Sequence, residues 1–449
     1  MCPQLRLIPL SDKHEEKGFW CEVRSALRNI IACGLLVALC WVASNNCSGA
    51  DPPGGATGER RSAELIRLSG SSEEVRLLAI DDVGVTFRFA RDDGQATPAV
   101  SRLPMREVVR WGTRRDPTEV DQLLLSDGSI MVGHVTDISR ESLSLTTDYW
   151  GELVFPRRVV VGIVWSLPTK LVERWKLRDS LLSDAKRDHL RLNNGDVLTG
   201  RLVSADLKQA RNFRFALASS ELTVPADSVA AWQTSVGLDK GVGARLILGM
   251  SDGSRLAADK VALSETMQVK LGCGPSLTLE SHIRPVAEGL VCFLQPVSDD
   301  VRFLSDLNPL GHRHIPFLAT KWDWGADRNV LGGPIAIDRG ILDRGIGMHS
   351  TARLAFDMPA GFDEFQSELA IDRSAGLQGS VVYRVFTSSS GSDWQESYRS
   401  PVIRGGEQPT HVRVDVRGVR RMALVVDFAD AADVMDRANW LDARLIRRQ

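Results

Sequence analysis

The chain of 449 residues lacks an excess of charge of either sign. Its 55 Lys and Arg nearly balance its 57 Asp and Glu, so the formal net charge at pH 7 is -2. No run of basic residues stands out either. Because nucleic-acid binding depends on clustered Lys and Arg that neutralise phosphates, these absences exclude nucleic acid as an expected partner. The apolar fraction of 43% is that of an ordinary globular protein.

A long hydrophobic run is also missing. The uncharged apolar segment from Ile30 to Ala43 has 14 residues, whereas a helix that spans a bilayer needs about 20. Two arginines precede this segment and small residues follow it at 48–50, which is the order of a cleaved secretory signal. We therefore predict that residues 1–50 are removed and that the protein is exported, either secreted or associated with the cell envelope. An uncleaved segment would be a membrane anchor instead.

Cysteine is scarce beyond that segment, and the short motifs of catalysis are absent. Only Cys273 and Cys292 follow residue 50, and they permit either one disulfide or two separate buried thiols. The chain has no Gly-x-Ser-x-Gly, no His-Glu-x-x-His and no phosphate-binding glycine loop. Glycoside hydrolysis would also need a deep cleft on a large scaffold, for which no segment is long enough. We therefore expect a protein without catalytic activity.

What the chain does contain is an internal repeat, which begins after a linker rich in Pro and Gly at 51–61. Segments 120–135 and 187–202 match at an offset of 67, and such repetition predicts duplicated structural units. The matched pairs are Leu123 and Leu190, Leu125 and Leu192, Gly128 and Gly195, Gly133 and Gly200, and Trp165 and Trp232. We expect the two Trp in equivalent buried positions.

Each repeat has the chemistry of a β-hairpin. Asp127-Gly128 and Asn194-Gly195 are typical of two-residue turns with positive φ, and the flanking residues alternate between apolar and polar. A degenerate first unit from Ala63 to Trp111 and a fourth that starts at Ala244 bring the number to four. Units of this size resemble small SH3-like or Sm-like barrels, although an open sandwich of paired units would give the same pattern.

The units divide into two groups. We assign two units to 62–166 and two to 188–290, and we predict a connecting helix within 167–187. The helix is indicated by Leu171, Val172, Trp175 and Leu182, which fall on one face at spacings close to 3.6 residues.

Residues 298–449 have longer strands and wide loops, and the alternation within the strands predicts an antiparallel sandwich. Four segments in order resemble the NPCBM family of carbohydrate-binding modules, first noticed in glycoside hydrolases of family ninety-eight. They are FLSDL (303–307), GGPIAIDRGILDRGIGMHS (332–350), ELAIDRSAGLQGSVVYRVF (368–386) and RGVRRMALVVDFADAADVMDRANWLDARL (417–445). The chain departs from the family at Ala370, where a Gly is usual, and at Arg437 and Asn439, where His and Asp are usual.

The resemblance implies a galactose-binding-like jelly-roll sandwich and, by extension, glycan binding. The fold class expected for the whole chain is therefore mainly β, with tandem small barrel-like units followed by this sandwich. Galactose-containing glycans are among the ligands that the resemblance implies.

Sugar recognition needs an aromatic face for stacking and a few polar groups for the hydroxyls. Trp322 and Trp324 lie two residues apart and would share one side of an extended segment, although either could instead cap the sandwich core. Asp327 would supply an acceptor nearby. His349 ends the family's glycine-rich turn, where it could bind a ligand or satisfy a local backbone group.

Three further residues complete the candidate set of carbohydrate-binding residues. These are Asp372, Asp436 and Trp440, of which Trp440 is alternatively a core residue with its N–H bonded internally. Carboxylates also recur every third residue from 427 to 436, and a structural calcium ion is one interpretation of this run, with solvated loop acids as the other. No other cofactor is expected.

The function predicted from the sequence is that of an exported, non-catalytic carbohydrate-binding protein. The tandem β units would act as a stalk or as a docking platform for a protein partner. One alternative is a cell-surface protein whose sandwich contacts protein. Another is an accessory protein that acts beside a separate glycoside hydrolase.

Overall fold

The computed structural model describes residues 62–89, 99–117, 121–183, 185–235, 241–279, 289–317, 319–430 and 432–448. These residues belong to one compact body. The predicted signal segment and linker, residues 1–61, lie outside the described residues. Strands dominate the described chain, which confirms the mainly β class. In this part of the chain no helix is long and apolar enough to cross a membrane.

Residues 63–296 form four units of five strands each. Unit 1 contains β1 (Ala63–Arg67), β2 (Ser72–Ile80), β3 (Gly84–Phe89), β4 (Val100–Pro104) and β5 (Val108–Gly112). Unit 2 contains β6 (Asp121–Leu125), β7 (Ile130–Ile138), β8 (Ser142–Thr147), β9 (Gly151–Pro156) and β10 (Val160–Val164). Unit 3 contains β11 (Asp188–Leu192), β12 (Val197–Asp206), β13 (Asn212–Ala216), β14 (Glu221–Pro225) and β15 (Val229–Gln233). Unit 4 contains β16 (Leu246–Met250), β17 (Arg255–Leu263), β18 (Met267–Leu271), β19 (Ser276–Thr278) and β20 (Val291–Pro296).

The strand order within each unit is five, one, two, three, four. In unit 2, for example, β6 pairs with β7 and β10, β7 with β8, and β8 with β9, all antiparallel. A register shift bends the long second strand, here between Val135 and Asp137, as β-bulges do. Among the described residues no pairing joins the fourth strand of a unit to its fifth, so barrel closure stays a prediction.

The hairpin turns lie where the sequence places them, but their geometry differs from a two-residue turn. Gly128 has a φ of 88° and its N–H donates to Leu125 O, whereas Asp127 does not adopt positive φ. The carboxylate of Asp127 instead accepts a hydrogen bond from Ser129 N at 2.8 Å. The turn therefore needs left-handed backbone at the glycine alone, which only Gly adopts without strain.

The units join in pairs through equivalent strands. β10 pairs antiparallel with β15, with Ile163 opposite Trp232, and β5 pairs with β20, with Trp111 opposite Leu294. All four residues occupy the same position in their units, because each lies opposite the central residue of its own first strand. Each pair of units is therefore related by a local two-fold axis.

This register corrects the expectation that Trp165 and Trp232 are equivalent. The counterpart of Trp232 is Ile163. The hairpins of units 2 and 3 are 67 positions apart, but the loops that follow are two residues longer in unit 3, so its last strand comes two positions later. Trp232 is fully buried, whereas Trp165 lies one residue past β10, half-buried and edge-on to Phe213 at 5.0 Å. The repeat is present, but this pair of Trp does not mark it.

The fourth unit, the connecting helix and the two cysteines each add to what the sequence predicts. β20 pairs with β16 throughout, so the fourth unit ends at Pro296 rather than at residue 290. Helix α1 (Leu171–Leu181) lies within the expected connector, but it buries Trp175, Leu181, Arg174 and Arg178, while Leu182 is exposed. The two arginines are accommodated because both donate to Asp116, at 2.6 and 2.8 Å. Cys273 and Cys292 are not joined in a disulfide.

The C-terminal part is a sandwich of two antiparallel sheets. Its strands are β21 (Val301–Phe303), β22 (Gly311–His314), β23 (Gly325–Ala326), β24 (Ile335–Ile337), β25 (Gly340–Leu342), β26 (Gly345–His349), β27 (Ala352–Asp357), β28 (Glu364–Ile371), β29 (Ser380–Ser388), β30 (Gln395–Arg404), β31 (Thr410–Asp415), β32 (Arg421–Phe428) and β33 (Arg437–Ile446). One sheet has the order β23-β26-β33-β28-β31 with β21 beside β33, and the other β22-β27-β32-β29-β30. The core between them contains Phe356, Phe365, Tyr383 and Trp440.

The outer face of the six-stranded sheet packs on the repeat units through buried charges. Arg110 of unit 1 donates from Nε to Asp442 at 2.6 Å and from a terminal nitrogen to Glu368 at 3.3 Å. Arg444 donates to the other oxygen of Glu368 at 3.0 Å, and Gln295 donates to Asp442 at 3.2 Å. This sheet face is therefore covered by the repeat units.

Candidate functional site

The candidate site lies at one end of the sandwich, where three loops meet. They are the segment after β22, the turn between β26 and β27, and the loop between β32 and β33. The strand register brings them together, because His314 lies opposite Ala352, which lies opposite Val426. Loops at a sandwich end tolerate sequence changes that the core does not, so recognition commonly resides there.

The indole of Trp322 stacks on the imidazole of His349. The ring centroids are 5.0 Å apart and the planes differ by 9°. Trp322 is half-buried, while His349 is buried beneath it. The backbone N–H of Trp322 donates to His314 Nδ1 at 3.2 Å, which holds the segment that carries the indole against the sheet. An aromatic ring is therefore held in a defined orientation at the protein surface.

The two histidines share one acceptor. Because His314 Nδ1 accepts from Trp322, its Nε2 carries the proton and donates to Ser350 O at 3.0 Å. His349 donates from Nδ1 to the same carbonyl oxygen, also at 3.0 Å, which leaves its Nε2 as an acceptor. Burial lowers the pKa of His349, and the opposing effect of Asp433 does not reverse this shift. His349 is therefore neutral at pH 7.

Asp436 supports the site from behind. The side chain is fully buried, and its carboxylate accepts hydrogen bonds from Ser350 Oγ and from Ser380 N, the latter at 2.8 Å. Burial raises the pKa of Asp436 to about 6. Its position fixes the turn that follows His349, and it is not presented to a ligand.

Two other predicted residues lie elsewhere. Trp324 is half-buried and packs against the sandwich core, which is the capping role considered for it. Asp327 accepts from Gly345 N at 3.1 Å and from Arg344 at 2.9 Å. Gly345 is the first residue of β26 and His349 the last, so Asp327 lies at the other end of that strand and does not join the stack.

Asp372 and Trp440 are structural residues, which corrects their place in the candidate set. Both are buried. The carboxylate of Asp372 accepts from Ala336 N at 3.1 Å and from Asn439 Nδ2 at 2.9 Å. An Asp at 439, as is usual in the family, could not donate this bond when charged. Trp440 packs edge-on to Tyr383 at 5.0 Å, and its indole N–H has no acceptor among the described residues, contrary to expectation.

The recurrent carboxylates at 427–436 do not converge. Asp427 pairs with Arg384 and Asp430 with Arg404, while Asp433 accepts from Phe317 N at 3.3 Å. Among the described residues no group of three or more His, Cys, Asp or Glu is placed to hold a metal ion. The calcium interpretation therefore has no geometric support.

Several residues at this end were missed by the sequence reasoning. His314 and Phe317 come from the segment before Trp322, and Phe428 is the last residue of β32. Asp433, which was expected only as one of the recurrent carboxylates, lies in the loop before β33. The signal for His314 was a chain with only eight His that places two of them in HRH (312–314). No spacing rule joins these segments, because they meet only through the strand register.

Comparison with known proteins bears on the sandwich. Residues 301–446 match the family model of the NPCBM/NEW2 domain. The C-terminal sandwich is an NPCBM/NEW2 domain. This agrees with the resemblance inferred from four segments of the sequence. No curated protein matches the chain.

Solved structures of CBM51 modules are among those similar to the chain. One, with the second CBM51 module bound to GlcNAc and the INT domains of Clostridium perfringens ZmpB, has 24% identity and a TM-score of 0.29, with 45% of this chain and 40% of that chain covered. Another, a CBM51 from Clostridium perfringens GH95 with methyl-galactose, has 19% identity and a TM-score of 0.29, with 32% and 99% covered. The tandem CBM51 modules of Streptococcus pneumoniae Sp3GH98 have 13% identity and a TM-score of 0.29, with 74% and 89% covered. The chain thus spans 40% of the first of these structures.

Proposed function

We propose that this protein is an exported, non-catalytic carbohydrate-binding protein that binds glycan where Trp322 stacks on His349. The observation that carries the proposal is this stack at the loop-lined end of an NPCBM/NEW2 domain. The export part rests on the apolar segment from Ile30 to Ala43. The absence of catalysis rests on the missing motifs.

The geometry of the site suits both the apolar face and the polar edge of a sugar ring. A pyranose presents C–H groups on one face, which pack on an aromatic ring, and hydroxyls around its edge. Trp322 supplies the ring, already oriented by His349 and by the bond to His314. The Asp433 carboxylate supplies an acceptor for hydroxyls. Preorganisation matters because a fixed indole loses little conformational entropy on binding.

The rest of the molecule limits where such a site can lie. The six-stranded sheet is covered by the repeat units, through Glu368 and Asp442. The repeat units thus hold the sandwich in one fixed orientation, and they also contact its loops at Arg328 and Asp343. A rigid mount of this kind fits a protein that displays a binding module.

The test is calorimetric titration of the full chain with methyl-galactoside and with GlcNAc. We expect Trp322→Ala to weaken binding about tenfold, because an aromatic stack contributes about 0.5–1.5 kcal/mol beyond its buried area. Trp394→Ala is the matched control, since Trp394 is also half-buried in the sandwich. It precedes β30 at the far end from the site, so this variant should bind as the wild type does.

The thermal unfolding of both variants is compared first, so that a loss of binding is not a loss of fold. Equal affinities of wild type, Trp322→Ala and Trp394→Ala would place the site elsewhere. If a broad glycan array shows no binding by the folded wild-type chain, the carbohydrate-binding proposal is wrong.

A further inference from the structure

Two phenylalanine side chains are exposed to solvent beside the proposed site. Phe317 is 59% exposed and Phe428 is 46% exposed. Their centroids are 6.3 Å apart and the planes are inclined by 73°, so they form an edge-to-face pair. Large aromatic side chains are normally buried, and an exposed cluster of them marks a surface that meets a ligand or a partner.

The pair is held in place on both sides. Phe428 is the last residue of β32, two positions after Val426, which pairs with Ala352. Phe317 belongs to the segment before Trp322, and its N–H donates to the carboxylate of Asp433 at 3.3 Å. The aromatic pair is therefore a fixed feature of the same sandwich end.

Asp433 connects the pair to the stack. Its carboxylate accepts from Phe317, and its charge also acts on the His349 imidazole, on which Trp322 lies. The order along the surface is thus an aromatic stack, a carboxylate and a second aromatic pair. Val434 and Met435 extend the apolar surface beyond Asp433, at 55% and 37% exposure.

We infer that Phe317 and Phe428 form a second subsite, so that the ligand is a glycan of at least two sugar residues. The first ring packs on Trp322, the second packs on the phenylalanine pair, and Asp433 accepts hydroxyls between them. This inference rests on the proposed function. Beyond the proposed function, it gives a minimum size for the ligand and names the residues that distinguish an oligosaccharide from a monosaccharide.

The charges of the loop disfavour a membrane as the occupant. Asp430 and Asp433 flank the exposed apolar residues, and the cation beside Asp430, Arg404, is already paired with it at 2.7 Å. Lipid surfaces in cells are anionic and attract basic segments, so acids at this position oppose docking on them. Hydroxyl groups, in contrast, donate readily to a carboxylate.

The experiment measures the affinity of the full chain for methyl-galactoside and for three galactose-terminated disaccharides: lactose, N-acetyllactosamine and Galα1-3Gal. The wild type should bind at least one disaccharide about three- to tenfold more tightly than the monosaccharide. Phe428→Ala and Phe317→Ala should remove that gain and leave monosaccharide affinity unchanged. Trp322→Ala should weaken both.

Phe362→Ala is the matched control, because Phe362 is a half-buried aromatic before β28, at the opposite end of the sandwich. It should keep the disaccharide gain. Phe428→Leu, which keeps apolar bulk without a ring, guards against a local collapse and should also lose the gain.

The results distinguish a failure of the second subsite from a failure of the Trp322 site. Equal affinity for all four sugars, or a gain that survives in both Phe→Ala variants, overturns the subsite while the Trp322 site stands. Absence of any sugar binding by the wild type overturns both. Binding to phosphatidylcholine vesicles that depends on Phe317 and Phe428, without a disaccharide gain, shows a lipid surface and also overturns the subsite.

Discussion

Replacing Arg110 by Met tests whether the repeat units and the sandwich depend on each other. Arg110 is 2% exposed, and it donates to Asp442 at 2.6 Å, to Glu368 at 3.3 Å and to Gly112 O at 2.8 Å. Burial opposes its charge, but the carboxylates of Asp442 and Glu368 outweigh that effect and raise the pKa of Arg110. The substitution removes the cation that hydrogen-bonds to the Asp442 carboxylate and leaves it with the neutral Gln295 and the more weakly acting charge of Arg444.

Removing one partner of a buried ion pair typically costs about 3–5 kcal/mol. We expect this loss in the free energy of unfolding of the full chain, measured by urea denaturation followed by circular dichroism. A matched surface control is Arg102→Met, because Arg102 and Asp81 form a close pair in which both side chains are 53% exposed. Exposed pairs are worth about 0–1 kcal/mol, so the control should change little.

A second substitution should restore part of the lost stability. Arg110→Met combined with Asp442→Asn removes the uncompensated charge and should recover part of the lost stability, whereas Glu368 keeps its bond from Arg444. The same loss in Arg110→Met and Arg102→Met would refute this account of the interface. So would a double variant that is less stable than the sum of the single losses.

Two further predictions concern the stability of each part. Trp232→Ala should lower the free energy of unfolding by about 3–5 kcal/mol, as the loss of a large buried aromatic does. Trp165→Ala should lower it less, because the Trp165 ring is half-buried. Equal losses of stability in chemical denaturation would contradict the register described above. The pKa of Asp436 is raised from 3.8 to about 6 by burial, so this group binds its proton more readily in the folded state and its contribution to stability falls as pH rises from about 4 to about 6. Asp436→Asn should therefore abolish up to about 3 kcal/mol of that pH dependence, measured as the difference between the two unfolding curves, and an unchanged dependence would contradict the raised pKa.

Local chemistry explains what could be predicted from sequence. Hairpin turns depend on residues within a few positions of each other, so Gly128 and its repeat Gly195 marked the turns correctly. The sandwich was recognisable because its segments keep their order along the chain. His349 and Trp322 were both named as candidates, and the structure brings these two together.

The errors have a shared cause, which is that a side chain's surroundings depend on strand register. Trp165 and Trp232 look equivalent at a fixed offset, but a two-residue change in loop length places Ile163 opposite Trp232. Asp372 looks like a polar ligand residue, yet it is buried among donors from three separate segments.

By itself, then, the sequence determined the mainly β class, the four repeated hairpins and the family of the C-terminal sandwich, because these follow from short-range spacing and ordered motifs. Tertiary structure alone decided which aromatic rings reach the surface: Trp440 is buried in the sandwich core, whereas Trp322 is half-buried at its end. It also decided that Arg110 meets Asp442, 332 positions away, in a buried contact. Charges that far apart in the chain meet through the summed geometry of many strands, which no local pattern encodes.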